Sequence, residues 1–297
     1  MYHIPVLLEA VIEGLQIKPN GIYVDATFGG GGHAQAILNK LEGGKLIAFD
    51  QDENAKNNIP NDKRLIFVNN NFRYMKNFLR YLQYEKVDGI LADLGVSSHQ
   101  FDTGERGFSF RSDAELDMRM NPHAELDAQK VLNTYTEEQL FHIFFEYGEI
   151  RNARCLAKAI VMARTSSGIH TVSDLTRAIE RCLPVYDYYK YMAKVFQAIR
   201  IEVNDELNCL RDFLGQTTDC LLPGGRLVII SYHSLEDRMV KNFIRTGNVE
   251  GKVEKDLYGN IHRPFRAVNK DVITPGETEI AANSRARSAK LRIAEKI

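Results

Sequence analysis

No apolar run in this 297-residue chain approaches the roughly 20 residues that a membrane span requires. The N-terminal apolar stretch is interrupted by Glu9 and Glu13 and has no basic leader, so it does not read as a secretory signal. Cysteine is sparse. Cys155, Cys182, Cys209 and Cys220 are far apart and form no Cys-x-x-Cys pair. That spacing argues against a zinc site, so no metal is expected, and it fits reduced thiols in a cytoplasmic protein. A dominant charge is missing too, with 38 basic against 39 acidic residues and a formal net charge of −1. Any nucleic-acid partner must therefore be met by a local basic patch, because phosphate contacts dominate that affinity. The C-terminal third offers Arg263, Arg266, Lys270, Arg285, Arg287, Lys290 and Arg292, which also fit an ordinary solvated surface. Finally, no Gly-x-Ser-x-Gly elbow accompanies His233, which removes the Ser-His-acid hydrolase reading.

What is present is an ordinary globular composition, 44% hydrophobic and 26% charged. Short apolar runs at 22–24, 46–49, 65–68 and 87–92 alternate with helical patterns, which predicts a parallel sheet with crossover helices. The alternation stops near Phe101. Helical periodicity without a convincing strand then runs to Leu207. A buried strand returns at 226–231 after Pro223-Gly224-Gly225, followed by a helical run from Leu235 to Ile244. Residues 288–293 are expected as a last edge strand, and 252–282 as an irregular, mobile surface loop. The expected architecture is α/β, a Rossmann-like doubly wound sheet with an inserted helical domain. Its parts are residues 1–101, 102–207 and 208–297.

The run Val24-Asp25-Ala26-Thr27-Phe28-Gly29-Gly30-Gly31-Gly32-His33 is the most informative. A strand, a glycine bend and a helix start make a nucleotide-shaped pocket at the carboxyl edge of a sheet. Asp50 closes the next strand roughly 20 residues on, where an acidic residue binds ribose hydroxyls. An adenosine-containing cofactor is expected. Gly29-x-Gly31-x-x-Ala34 with Asp50 also satisfies the loose dinucleotide pattern, so a nicotinamide enzyme is the rival. Asp25 is either a turn-stabilising carboxylate or a direct cofactor contact. Asp93-Leu94-Gly95-Val96-Ser97-Ser98-His99-Gln100 ends the fourth strand. Asp93 there can accept hydrogen bonds from an amino group, or merely cap a turn.

Three further blocks carry candidate substrate contacts. Arg106-Gly107-Phe108-Ser109-Phe110, near Met118 and Met120, combines rings and a cation suited to an unstacked base, although spacing alone favours core packing. Phe196 to Leu207 reads as one amphipathic helix, with Phe196, Ile199, Val203 and Leu207 on its buried stripe and Gln197, Arg200 and Asn204 on another face. In Ser231-Tyr232-His233-Ser234-Leu235-Glu236-Asp237-Arg238, Ser234 and Asp237 fit a capping box.

Taken in order, these blocks resemble the bacterial 16S ribosomal RNA cytosine-N4 methyltransferases, nearly end to end. The likeness runs from His3-Ile4-Pro5-Val6-Leu7-Leu8 through the blocks above and Leu116-Asp117-Met118-Arg119-Met120 to Arg285-x-Arg287-Ser288-Ala289-Lys290-Leu291-Arg292. The chain departs from the usual pattern at Ala92, His99, Ala114-Glu115 (for Gly-Pro), Tyr232 (for phenylalanine) and Ser284, and none of these departures touches a charged residue of the pattern. The resemblance implies a class I S-adenosylmethionine-dependent fold and S-adenosyl-L-methionine as cofactor. It implies donor contacts at Gly31, Gly32, His33, Asp50, Phe72, Asp93 and Gln100. It also implies methyl transfer to the exocyclic N4 of one cytidine in the decoding region of 16S rRNA, within a small ribosomal subunit in the cytoplasm. Asp93 is then the candidate acceptor for the target amine. Arg106, Phe108, Phe110, Arg200, Asn204, His233, Arg285 and Arg287 are the candidate RNA contacts, with the helical insertion as recognition domain. Whether the chain acts alone or as a homodimer is left open by the sequence.

Overall fold

The computed structural model describes residues 5–96, 106–253, 255, 258–259 and 263–297. The chain forms two compact units, Met1–Gly95 with Leu207–Ile297, and Val96–Glu206.

The first unit is built on a sheet with strands β1 (Ile22–Asp25), β2 (Lys45–Phe49), β3 (Leu65–Val68), β4 (Val87–Asp93), β5 (Leu221–Ser231), β6 (Phe265–Ala267) and β7 (Lys290–Lys296). Their spatial order is β3-β2-β1-β4-β5-β7-β6. Strands β1 to β5 are mutually parallel, whereas β7 runs antiparallel to both β5 and β6. Both faces are buried, so the parallel strands are apolar almost throughout. Alternate residues feed two separate cores. Val24, Ile47, Phe49 and Ile90 pack with α3 (Met75–Tyr81), α9 (Glu206–Cys220) and α10 (Ser234–Thr246), through Leu79, Phe213 and Val240. Tyr23, Leu46, Ala48 and Leu91 pack with α1 (Leu8–Leu15) and α2 (Gly32–Leu38), through Val11, Leu15 and Ile37. The chain winds outward in one direction from β1 and in the other from β4. The crevice at their carboxyl ends is therefore the topological switch point, where ligands bind in open α/β sheets.

Three expectations are corrected here. Residues 290–296 form an interior strand, because β6 adds a further three-residue strand outside them. The 252–282 stretch is not wholly irregular. It holds β6, pinned by Phe265 at 1% exposure, and the short helix α11 (Glu277–Ala282). β5 starts at Leu221 rather than 226 and runs through the glycine turn, with a register shift against Val87 and Gly89 of β4.

The second unit is helical. Its elements are α4 (Ala128–Thr134), α5 (Glu137–His142), α6 (Ala153–Arg164), α7 (Val172–Ile179) and α8 (Tyr188–Asn204), around one core that includes Leu132, Phe144, Leu156, Ile160, Leu175 and Ile199. Among its described residues the only β pairing is an isolated bridge between Glu115 and Thr171. The apolar spacing of Phe196, Ile199 and Val203 does bury that stripe, yet the helix does not continue to Leu207. Asp205 takes a left-handed φ of 52°, ending α8 before α9 begins at Glu206.

Candidate cofactor site and strand-end carboxylates

Asp25, Asp50 and Asp93 end or directly follow β1, β2 and β4, which places all three at the carboxyl edge of adjacent strands. The glycine bend lies between β1 and α2. Gly29 and Gly31 take φ values of 50° and 76°, a region open chiefly to glycine. The bend is tied from two sides: Asp50 Oδ2 accepts from the Gly29 N–H at 2.8 Å, and Asn58 Nδ2 donates to the Gly29 carbonyl at 3.0 Å. A side chain on Gly32 would collide with the Pro5 ring, so close packing demands glycine there. At Gly30, by contrast, a Cβ would meet nothing within 4 Å. The bend is thus closed towards the protein and open on one side.

Each carboxylate has a distinct environment. Asp25 is 1% exposed; its Oδ1 accepts from the Thr27 N–H at 3.1 Å, while Oδ2 is buried without a partner among the described residues. Burial raises its pKa to about 6, against the opposing pull of His33 and the Thr27 N–H. The turn-stabilising reading of Asp25 holds for Oδ1, and Oδ2 is left as an acceptor without a partner among the described residues. Asp50 uses Oδ2 on Gly29 and Oδ1 on the Asp52 N–H at 2.8 Å, and burial raises its pKa to about 6. Asp93 is fixed twice. Its N–H donates to Thr27 Oγ1 at 2.6 Å, and its Oδ1 accepts from the Tyr232 hydroxyl at 2.8 Å. Burial pushes Asp93 up to about 7, while the Tyr232 hydrogen bond, which favours the ionised form, pulls the other way.

His33, in the first turn of α2, is 7% exposed, with Nε2 at 3.0 Å from the Val6 carbonyl. A carbonyl only accepts, so Nε2 carries the proton. Burial lowers the pKa of the ring, and Nδ1 lies 3.8 Å from Asp93 Oδ2. Phe72 follows β3 and is held edge-to-face on Phe213 at 5.1 Å. Gln100 lies outside the described residues.

The edge fits an adenosyl ligand. An unpartnered buried carboxylate oxygen at Asp25, an open glycine bend at Gly30 and a half-buried ring at Phe72 supply an acceptor, room for backbone contact and an apolar surface. Gly31, Gly32, His33, Asp50, Phe72 and Asp93 are the residues that would hold it.

The candidate RNA contacts fare differently. Phe108 is 5% exposed within the helical core, so it is a packing residue and not a stacking platform. Arg106 donates to the Arg119 and Met120 carbonyls and lies over the Phe108 ring, bracing its own loop. Arg200 makes a two-pronged ion pair with Glu206, at 2.7 and 2.9 Å. Asn204 accepts from the Met120 N–H at 2.7 Å and donates to the Met118 carbonyl at 2.8 Å, which pins Met118 at a φ of 57°. The side chains of Arg200 and Asn204 are therefore spent on the fold. His233 is the N-cap of α10: its side chain accepts from the Glu236 N–H, and Glu236 closes the capping box. The box is His233–Glu236 rather than Ser234–Asp237, because Asp237 instead binds Arg292 Nε at 2.7 Å. Arg285 and Arg287 remain exposed, on a tight turn anchored by buried Ala286. Phe110 is half-buried and borders an open cavity of about 520 Å³ with Arg111, Tyr188 and Tyr189. The sequence motifs give Tyr232 no role of its own. Its place at the end of β5, the strand beside β4, was the signal that it could meet Asp93.

A β3-β2-β1-β4-β5-β7-β6 sheet with one antiparallel strand, a glycine bend after β1 and acidic residues at the ends of β2 and β4 defines a class I S-adenosylmethionine-dependent methyltransferase. This overturns the nicotinamide alternative. Within that class, the chain belongs to the MraW methylase family, whose model matches residues 1–297. It is 58% identical over 296 residues to ribosomal RNA small subunit methyltransferase H of Bacteroides thetaiotaomicron, covering 99% of this chain and 97% of that protein. The identity is 56% to the protein of the same name from Phocaeicola vulgatus and 55% to that from Flavobacterium johnsoniae, each with 100% of this chain and 98% of the relative covered. No helix among the described residues is long and apolar enough to cross a membrane.

Proposed function

We propose that this chain methylates the exocyclic N4 of one cytidine in the decoding region of 16S rRNA, acting on small ribosomal subunits in the cytoplasm. The observation that carries the reading is Asp93, a carboxylate at the switch point with one oxygen held by Tyr232 and Oδ2 free of hydrogen bonds among the described residues. The name borne by the relatives above supports the rRNA substrate.

An exocyclic cytidine amine is a poor nucleophile, because its lone pair is delocalised into the ring. An acceptor that takes its N–H favours the pyramidal, reactive nitrogen and stabilises the positive charge that develops there. Asp93 Oδ2 fills that role. Tyr232 and Thr27 fix its plane, so little reorganisation is needed at the moment of reaction. S-adenosylmethionine, when bound, supplies the activated methyl group. Asp50 rigidifies the bend that faces it. The helical unit is assigned to substrate recognition. There Phe110, Tyr188, Tyr189 and Arg111 offer rings for an unstacked base and a cation for its phosphate.

The test is mass spectrometry of 16S rRNA from a strain lacking the gene, complemented with the wild-type chain or with Asp93→Ala. Wild type is expected to restore one methylated cytidine and Asp93→Ala to leave it unmethylated. A restored methyl on any other atom or base would refute the proposal.

A further inference from the structure

Two of the four cysteines meet in the helical unit. Cys155 Sγ, in the first turn of α6, lies 2.9 Å from Cys182 Sγ, in the single 3-10 turn Glu180–Cys182 that follows α7. The two thiols are in direct contact, near enough for one S–H to face the other sulfur. The approach is organised from both sides. Asn152, just before α6, donates from Nδ2 to the Cys182 carbonyl at 2.9 Å, and the Tyr191 hydroxyl of α8 donates to Asn152 Oδ1 at 2.9 Å. The exposures are unequal: Cys155 is exposed and Cys182 is 6% exposed. One thiol therefore faces solvent and the other waits behind it.

We propose that Cys155 and Cys182 are an oxidative modification site, closing to an intramolecular disulfide on exposure to a hydroperoxide. The first step is attack of the Cys155 thiolate on a peroxide oxygen. The O–O bond breaks, sulfur is oxidised to the sulfenic acid and the other peroxide oxygen leaves as hydroxide or alkoxide. Cys182 then attacks the Cys155 sulfur. The S–O bond breaks, the S–S bond forms, and the sulfenic hydroxyl leaves with the Cys182 proton as water. With hydrogen peroxide the balance is two thiols and one peroxide giving one disulfide and two waters. Burial and the adjacent Cys155 raise the Cys182 thiol to about 12, so it is a poor first target and acts as the resolving partner. The bond would join the start of α6 to the end of α7 covalently. This site is independent of the methyl-transfer reading and shares no residue with it.

The test treats the full chain with hydrogen peroxide and counts thiols after denaturation. Free thiols should fall from four to two, leaving Cys209 and Cys220, which are 3% and 1% exposed. Peptide mapping without reductant should recover the Cys155 and Cys182 peptides as one species lighter by two hydrogens, separated again by dithiothreitol. In Cys182→Ser, whose small hydroxyl fits the same space, dimedone should trap a sulfenic acid on Cys155 that wild type does not accumulate. If wild type yields the dimedone adduct to the same extent, or if Cys155 cross-links only between molecules, the assignment is overturned.

Discussion

The Tyr232 hydroxyl donates to Asp93 Oδ1 at 2.8 Å, joining the carboxyl ends of β5 and β4. One oxygen of the candidate acceptor is thereby committed, and Oδ2 is the one left for an incoming amine. The charged and titratable groups around the pair are His33 on α2, Asp25 at the end of β1 and Asp50 after β2, with Glu236 on α10 and Glu279 on α11. A hydrogen bond to a charged acceptor contributes about 1.5–3 kcal/mol, equivalent to about 1–2 pKa units. Tyr232→Phe keeps the ring and removes that donor, so Asp93 should titrate higher still. The acid limb of the pH–rate profile, measured by single-turnover methyl transfer at saturating donor, should move up by about 1–2 units. A profile that only scales down, with its limb unmoved, would reduce Tyr232 to packing.

Asp50 is the chief brace of the glycine bend. Asp50→Ala removes the acceptors for the Gly29 and Asp52 N–H groups together. The expected loss of affinity for S-adenosylhomocysteine is about 10- to 100-fold, the counterpart of about 1.5–3 kcal/mol. Calorimetry measures it directly, and an unchanged dissociation constant would end the cofactor role.

The stability of the ligand-free protein should decline from pH 5 to pH 8. Asp25, Asp50 and Asp93 are raised from 3.8 to about 6, 6 and 7, so the folded state holds these protons more tightly than the unfolded chain. Their contribution is complete below pH 3.8 and is lost as pH climbs through 6 and 7. His33 acts oppositely, since its lowered pKa favours folding above 6.5, but it is one group against three. Asp62, Asp117, Asp174 and Asp237 are lowered below 3.8 and titrate outside this window. Thermal melts should therefore give a higher midpoint at pH 5 than at pH 8, with a shallower dependence in Asp25→Asn. The reverse order of midpoints would contradict the environments assigned to these carboxylates.

Asn204 separates fold from function in the helical unit. Asn204→Ala removes the acceptor for the Met120 N–H and a donor to the Met118 carbonyl. The cost is about 1–3 kcal/mol for each group left buried and unsatisfied, seen as a lower denaturant midpoint. Affinity for S-adenosylhomocysteine should not change. A variant of normal stability that has lost only RNA binding would restore Asn204 to the substrate surface.

Arg285 and Arg287 are the exposed cations left from the candidate RNA contacts. Replacing both with alanine should weaken rRNA binding and lower the slope of log K against log salt by about 1–2. A slope equal to wild type would leave them as solvated surface.

The glycine bend, Asp50 and Asp93 were legible in the sequence because each sits where a strand stops, and strand ends can be read from apolar runs. What could not be read is which side chains meet across the fold. Phe108 and Asn204 had the residue types of RNA contacts, but their use is decided by a loop that Gly107 and Met118 bend through left-handed φ values of 66° and 57°. Nothing in local spacing announces that bend. The three-residue strand β6 was missed for a similar reason. It is too short to show alternation, and it exists because the neighbouring β7 offers it an edge.

The helical unit is one continuous stretch, 96–206, whereas its companion is assembled from segments on either side of it. Strand β4 ends at Asp93, but its neighbour β5 begins only at Leu221. On a translating ribosome, residues 96–206 can collapse on themselves while the half-made sheet still shows an unsatisfied β4 border. That border is a standing invitation to mispairing until the later segment emerges. Slow codons or a stalled nascent chain should thus harm the sheet and spare the helices.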